Sequence, residues 1–153
     1  MHTHKEAVPK VIDNLRRIFQ AINEYSKTAE HATGLTGPQL WALKILESSS
    51  PLRVSELAQA MYLRSATVVG IVDRLEAKEL VSRVRSATDR RAVELSLTDL
   101  GKKVAASAPD VAQTLLISGL AGLTNEQFQC IETGMQLMVT LLKAEQIHPQ
   151  PLH

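Results

Sequence analysis

Large aromatic side chains are scarce in this 153-residue chain, which has two Phe, two Tyr and one Trp. A core must therefore come from Leu, Ile, Val, Met and Ala, which favours helix-on-helix packing over a β-sandwich. Cysteine is nearly absent too. Cys130 alone excludes an internal disulfide and fits a reducing cytoplasm. No run of about 18 apolar residues occurs, so no membrane span is expected. The first ten residues, MHTHKEAVPK, lack the apolar centre of a signal peptide. Of the five histidines, His2, His4, His148 and His153 sit in the termini and only His31 is internal. None stands at metal-ligand spacing from a cysteine or another internal histidine. A glycine-rich phosphate loop, a nucleophile elbow and paired carboxylates are missing as well. The expectation is a cytoplasmic protein with no metal, no cofactor and no catalytic role.

Net charge is only +1, but it is unevenly spread. Residues 1–52 carry 6 basic and 5 acidic groups, residues 53–103 carry 10 and 7, and residues 104–153 carry 1 and 4. The middle third is therefore the side suited to a polyanion, and any such binding should depend strongly on salt.

Apolar periodicity in the ends is helical. Val8, Val11, Leu15, Ile18, Ile22, Tyr25 and Ala29 recur at alternating spacings of three and four, with Ile12 and Phe19 widening the stripe. This is a coiled-coil-like seam, and Gly34 should end the helix. Phe128, Ile131, Met135, Met138 and Leu142 repeat the pattern near the other end, after a capping box of Thr124 and Gln127. A chain of this size has little interior in which to bury two seams. The terminal helices are therefore expected to pair across a two-fold axis in a homodimer.

Between the seams, Thr36 and Gln39 form a second capping box, with Pro38 in the first turn of a largely buried helix. A third short helix covers about Val54 to Met61 and a fourth about Ser65 to Lys78. Thr98 caps a fifth, with Asp99 in its first turn. Pro109 should interrupt that helix, and Ser107 or Asp110 should cap its restart. Leu120 and Gly122 mark a turn, and the last residues, HPQPLH, are expected to be irregular.

Helices three and four, joined by a short turn, have the layout of a helix-turn-helix. On the fourth, Val68, Ile71, Val72 and Leu75 form an inward face. Ala66, Thr67, Val69, Gly70, Asp73 and Arg74 lie opposite. A solvated face would usually carry Lys and Glu, whereas this smooth one suits a major groove, where methyls meet thymine and hydroxyls reach base edges. Ser65 and Thr67 lie near the helix N-terminus, and Arg74 is placed to clamp a phosphate. The next stretch, LVSRVRSATDRRAVELSLT (residues 80–98), alternates apolar and polar residues on either side of a turn carrying Asp89, Arg90 and Arg91. The first arm ends in Arg83 and Arg85. In the second, Val93, Leu95 and Leu97 share one face. A basic β-hairpin beside a helix-turn-helix reads as a wing reaching toward phosphates and a groove.

SELAQAM, ATVVGIVDRLE, LVSR and DRRAVELSLTDLG follow one another over residues 54–103. With this order of elements over about 8–145, the chain resembles the multiple-antibiotic-resistance-regulator (MarR) family of winged-helix transcription factors. The resemblance implies a mainly α fold with a small β-hairpin wing. It also implies a dimer that binds a pseudo-palindromic operator in double-stranded DNA, most often as a repressor. Many members release DNA when a small aromatic or phenolic effector binds between the DNA-binding lobe and the dimer interface. On this resemblance, residues 1–34 form an N-terminal dimerisation helix. Residues 35–98 form the winged helix-turn-helix, and residues 99–153 form C-terminal dimerisation helices and a tail. The recognition helix, 65–78, enters the major groove and the wing, 86–91, the minor groove.

By position, the resemblance puts Ser65, Ala66, Thr67 and Val69 against bases and Thr36 and Arg74 on phosphates. Arg91 enters the minor groove beside Arg85 and Arg90, and Asp89 orients the wing arginines. Arg64 stands where a capping Ser is common and adds a phosphate contact. Tyr62 and Glu79 each stand where the family often has Gly, and Pro109 falls in a helix that is usually long. The competing expectation from another class is a winged-helix module that binds protein and has no specific DNA site. Cys130 is read as a buried structural cysteine, the alternative being an oxidant sensor, and Trp41, Tyr62 and Tyr25 as core packing, the alternative being the lining of an effector pocket.

Overall fold

Helix boundaries here follow from their terminal residues. The computed structural model describes residues 4–153, so the expectation for His2 lies outside the described residues. Helix α1 (Val8–Thr33) ends at Gly34, whose φ of 71° is the left-handed geometry glycine adopts without steric cost. Helix α2 (Gly37–Ser49) opens on the expected capping box. The Gln39 amide donates to Thr36 Oγ1 at 3.4 Å, and the Thr36 amide to Gln39 Oε1 at 3.2 Å. Helix α3 (Val54–Ala60) and helix α4 (Ser65–Ala77) follow. Strands β1 (Val81–Arg85) and β2 (Val93–Leu97) then pair antiparallel, with Val81 opposite Leu97 and Arg85 opposite Val93. Helices α5 (Asp99–Ser107), α6 (Ala112–Ala121) and α7 (Asn125–Leu141) follow, and an irregular segment runs on to His153. Thr98 caps α5 and Thr124 caps α7, each accepting an amide hydrogen bond three residues on.

The buried core runs from Ala29 to Ala112, and its largest fully buried side chains include Leu35, Leu40, Leu43, Leu46, Leu57, Leu75 and Leu95. Helix α2 is its centre, packing against α1, α3, α4, α5, α6 and β2. Trp41 is buried within it as expected. The hairpin is anchored by Leu52, which exchanges backbone hydrogen bonds with Leu95 of β2 at 3.1 and 2.6 Å. Gly101 is required by close approach. A Cβ there would stand 2.0 Å from the Leu80 carbonyl oxygen, which already accepts the Thr98 amide at 3.1 Å. The first turn of α5 is thereby pressed against the junction of α4 and β1.

Several expectations are corrected. The chain does break at Pro109, and α5 and α6 meet at 67°, but neither Ser107 nor Asp110 caps the restart. Ala108 is extended, as a residue before proline prefers. Ser107 Oγ donates back to the Lys103 carbonyl at 3.0 Å. Buried Val111 starts α6 with no side-chain cap, so packing replaces polar capping there. Lys44 Nζ of α2 holds the bend by donating to the Ala108 carbonyl at 3.3 Å. Val93 does not share the burial of Leu95 and Leu97, because it lies at the outer end of the hairpin opposite Arg85. Tyr62 is 77% exposed, not packed in the core. Its φ of 54° places it in a tight left-handed turn between α3 and α4. Cys130 is exposed, not buried, because α7 buries none of its residues in the single chain.

Candidate nucleic-acid interface

Helix α4 divides as its sequence requires. Val68, Ile71, Val72 and Leu75 are buried, while Ser65, Ala66, Val69, Gly70, Asp73 and Arg74 are exposed and Thr67 is half-buried. Nothing lies within 4 Å of a Cβ built on Gly70, so the outward face is open as well as smooth. Arg64 precedes the helix in an extended conformation and gives it no side-chain cap. The α4 N-terminal amides therefore lack that side-chain oxygen, the arrangement in which a helix N-terminus accepts an anion.

Three residues singled out separately in the sequence come together in space. Thr36 from the start of α2, with Thr67 and Arg74 from α4, lines one open cleft of about 290 Å³. The hydroxyl of Thr36 accepts the capping bond and keeps its own proton for an outside acceptor. Arg74 makes no ion pair among the described residues.

The hairpin tip is organised by its short polar side chains. Buried Ser86 Oγ accepts the amides of Thr88 and Asp89, both at 3.3 Å. The Ser86 amide donates to the Ala92 carbonyl and the Ala92 amide to the Asp89 carbonyl. Asp89 Oδ1 accepts the Arg91 amide at 3.0 Å, and Oδ2 lies 3.7 Å from Arg53 at the start of α3. The carboxylate thus shapes the turn backbone on which Arg90 and Arg91 stand. Arg85, Arg90 and Arg91 are all exposed.

Two connections were missed in the sequence. Arg83 of β1 donates to Asp73 Oδ1 of α4 at 2.6 Å and lies 3.6 Å from Glu76 Oε1. It joins the wing to the outward-facing helix and covers two carboxylates that would repel a phosphate backbone. Arg83 and Asp73 lie on different elements, so only the turn into the hairpin makes the pair visible. Lys78, at the end of α4, donates to the Gly34 carbonyl at 2.8 Å and ties that helix to the end of α1. Among the described residues, no group of three or more His, Cys, Asp or Glu is placed to hold a metal ion. No single described helix is long and apolar enough to cross a membrane.

The sequence signature of the MarR family matches residues 35–93. The HTH-type transcriptional repressor MdtR of Bacillus subtilis is 38% identical over 88 residues, which span 58% of this chain and 57% of that protein. The chain thus covers little more than half of MdtR. The organic hydroperoxide resistance transcriptional regulator of B. subtilis is 31% identical over 108 residues, spanning 71% of this chain and 72% of that protein. Among solved structures, the S. aureus MepR–DNA complex superposes with a TM-score of 0.57 at 19% identity, covering 93% of this chain and 99% of that one. This last likeness is one of fold.

Proposed function

We propose that this chain, which belongs to the MarR family, is a homodimeric transcriptional repressor that binds a pseudo-palindromic operator and has no catalytic activity. The observation that carries the reading is the junction of α4 with the wing. A smooth, open helix face and an exposed arginine tip are held in one unit by Arg83, Asp73 and Glu76. That unit suits a helix in the major groove and a hairpin in the adjacent minor groove. MdtR is named a repressor, and the fold is shared with a MepR structure solved on DNA.

In this reading residues 35–98 make the DNA contacts and α5 buttresses them. Residues 1–34 and the helices after α5 pair the protomers. Ser65, Ala66, Thr67 and Val69 face bases, while Thr36, Arg64 and Arg74 hold phosphates. Arg91 enters the minor groove, with Arg85 and Arg90 along its walls and Asp89 fixing the tip. An arginine there responds to the narrow shape of A·T-rich DNA more than to base identity.

The deciding experiment is a fluorescence-anisotropy titration of the full chain with duplex DNA from its own upstream region, at two salt concentrations and against random competitor. The reading expects tight, salt-sensitive binding that resists competitor. Arg90→Ala with Arg91→Ala should weaken it by roughly 10-fold to 100-fold and flatten the salt slope. Binding equal to that of random DNA removes the specific operator. No binding at all leaves the protein-interaction module in its place.

The effector belongs to the same proposal. An apolar trough of about 170 Å³ between α1 and α6 is lined by Leu116 and by the seam residues Ile22 and Tyr25, so an aromatic ring held there would lie at the proposed dimer interface. A phenolic acid such as salicylate should raise the melting temperature and weaken duplex binding. Unchanged melting across a panel of aromatic acids would remove this part of the proposal.

A further inference from the structure

The residues after α7 have no regular secondary structure, yet they are not loose. Gln113 of α6 is buried, and its Nε2 donates to the Leu152 carbonyl at 2.7 Å. The same carbonyl oxygen lies 3.6 Å from where a Cβ on Gly37 would stand, so it sits against the first residue of α2. Further back, His148 Nδ1 is 3.4 Å from Arg64 Nη2. Between these two attachments Pro149 and Pro151 restrict the backbone, which lowers the entropy lost on docking. Pro151 and His153 form one wall of the cleft whose other wall holds Thr36, Thr67 and Arg74.

We infer that residues 148–153 form a strap across the DNA-binding face, an autoinhibitory contact that must leave before the duplex can seat. The inference rests on the proposed DNA-binding function. Its substance is that the strap touches one group assigned to DNA and borders the cleft of three more. Arg64 is engaged by His148, and Thr36, Thr67 and Arg74 share their cleft with Pro151 and His153. A phosphate approaching Thr36 and Arg74 would enter the volume that Pro151 and His153 border. The strap is held by few polar contacts, one of them long, so its closure is shallow and DNA can displace it. The apparent dissociation constant is then raised by the reciprocal of the open fraction.

The test compares the full chain with a chain ending at Ile147 and with Gln113→Ala, each titrated with the upstream duplex. Opening the strap should tighten binding by roughly 5-fold to 50-fold for the truncated chain. Gln113→Ala should move in the same direction by less, with the salt slope of either protein unchanged. The NMR signals of His148 and His153 report docking without DNA. In the full chain they should differ from those of the free peptide HPQPLH, and they should shift toward the peptide values as duplex is added. Equal affinity of the full and truncated chains overturns the strap and leaves the DNA-binding function standing. Weaker binding after truncation also overturns it, because the segment would then be a DNA contact. Peptide-like histidine signals before DNA is added overturn the docking itself. Failure of every form to bind any duplex, with histidine signals still displaced, removes the DNA-binding function and the strap's role with it.

Discussion

The lobe built around α2 and the helices at the two ends both carry apolar residues at helical spacing but differ in what they do with them. In the lobe, α2 buries eight of its 13 residues. At the ends, α1 buries only Ala29 of its 26 residues and α7 buries none of its 17. Phe19, Met135 and Leu137 are each more than half exposed. The lobe satisfies its apolar residues inside one chain, whereas the ends expose a stripe that water does not stabilise. Hydrophobic periodicity alone therefore says that a face is to be buried, and only the packing says whether the same chain buries it. Charge supports a second copy as the cover. Helix α1 carries Lys10, Arg16, Arg17 and Lys27 against three acidic groups, and α7 carries Glu126 and Glu132 with no basic residue.

The sharpest way to break this contrast is at the ends. Phe19→Lys with Met135→Lys should convert a dimer into a monomer in sedimentation analysis, at a cost of roughly 4 kcal/mol or more of association energy. The lobe's amide NMR pattern should stay in place, and operator affinity should fall with the lost second copy. A monomeric parent protein would contradict the contrast outright. A change inside the lobe should behave the opposite way. Gly101→Ala drives a methyl into the Leu80 carbonyl and should cost about 3 kcal/mol by overpacking, read as a lowered melting temperature. The gentlest probe is Arg83→Ala. Its pairs with Asp73 and Glu76 are substantially exposed, so stability should change by about 0–1 kcal/mol. Duplex affinity should nevertheless drop by about 10-fold as two carboxylates are bared toward phosphate. Unchanged affinity would mean that Arg83 does not shape the DNA-binding face.

Local chemistry was largely legible in the sequence. The Thr36 and Thr124 capping boxes, the Gly34 terminus and the inward stripe of α4 all depend on residues no more than four positions from the next. Short-range hydrogen bonding and helical geometry decide such features. The wing was legible because strand alternation and a polar turn are also local. What escaped depends on where distant segments meet. Arg83 finds Asp73 only after the chain reverses, and Gln113 finds Leu152 across 39 residues. The start of α6 was misplaced because buried Val111 prevailed over two polar caps. Tyr62 and Glu79 adopt φ values of 54° and 59° where glycine would be at ease. That is a backbone demand the resemblance had located and the side-chain types concealed.

The Arg83 bridge has a mechanical consequence. It ties hairpin to helix through exposed pairs, so under the proposed function each lobe acts as a caliper whose opening the bridge biases toward the span from a major groove to the minor groove beside it. Pairs of that kind are weak, so the bridge sets a preferred opening and does not lock it. If two copies bind half-sites about one helical turn apart, as proposed, a natural place for the compliance to reach both is the 67° elbow between α5 and α6. Stiffening that elbow should narrow the range of half-site spacings the protein accepts while leaving its grip on a single half-site intact.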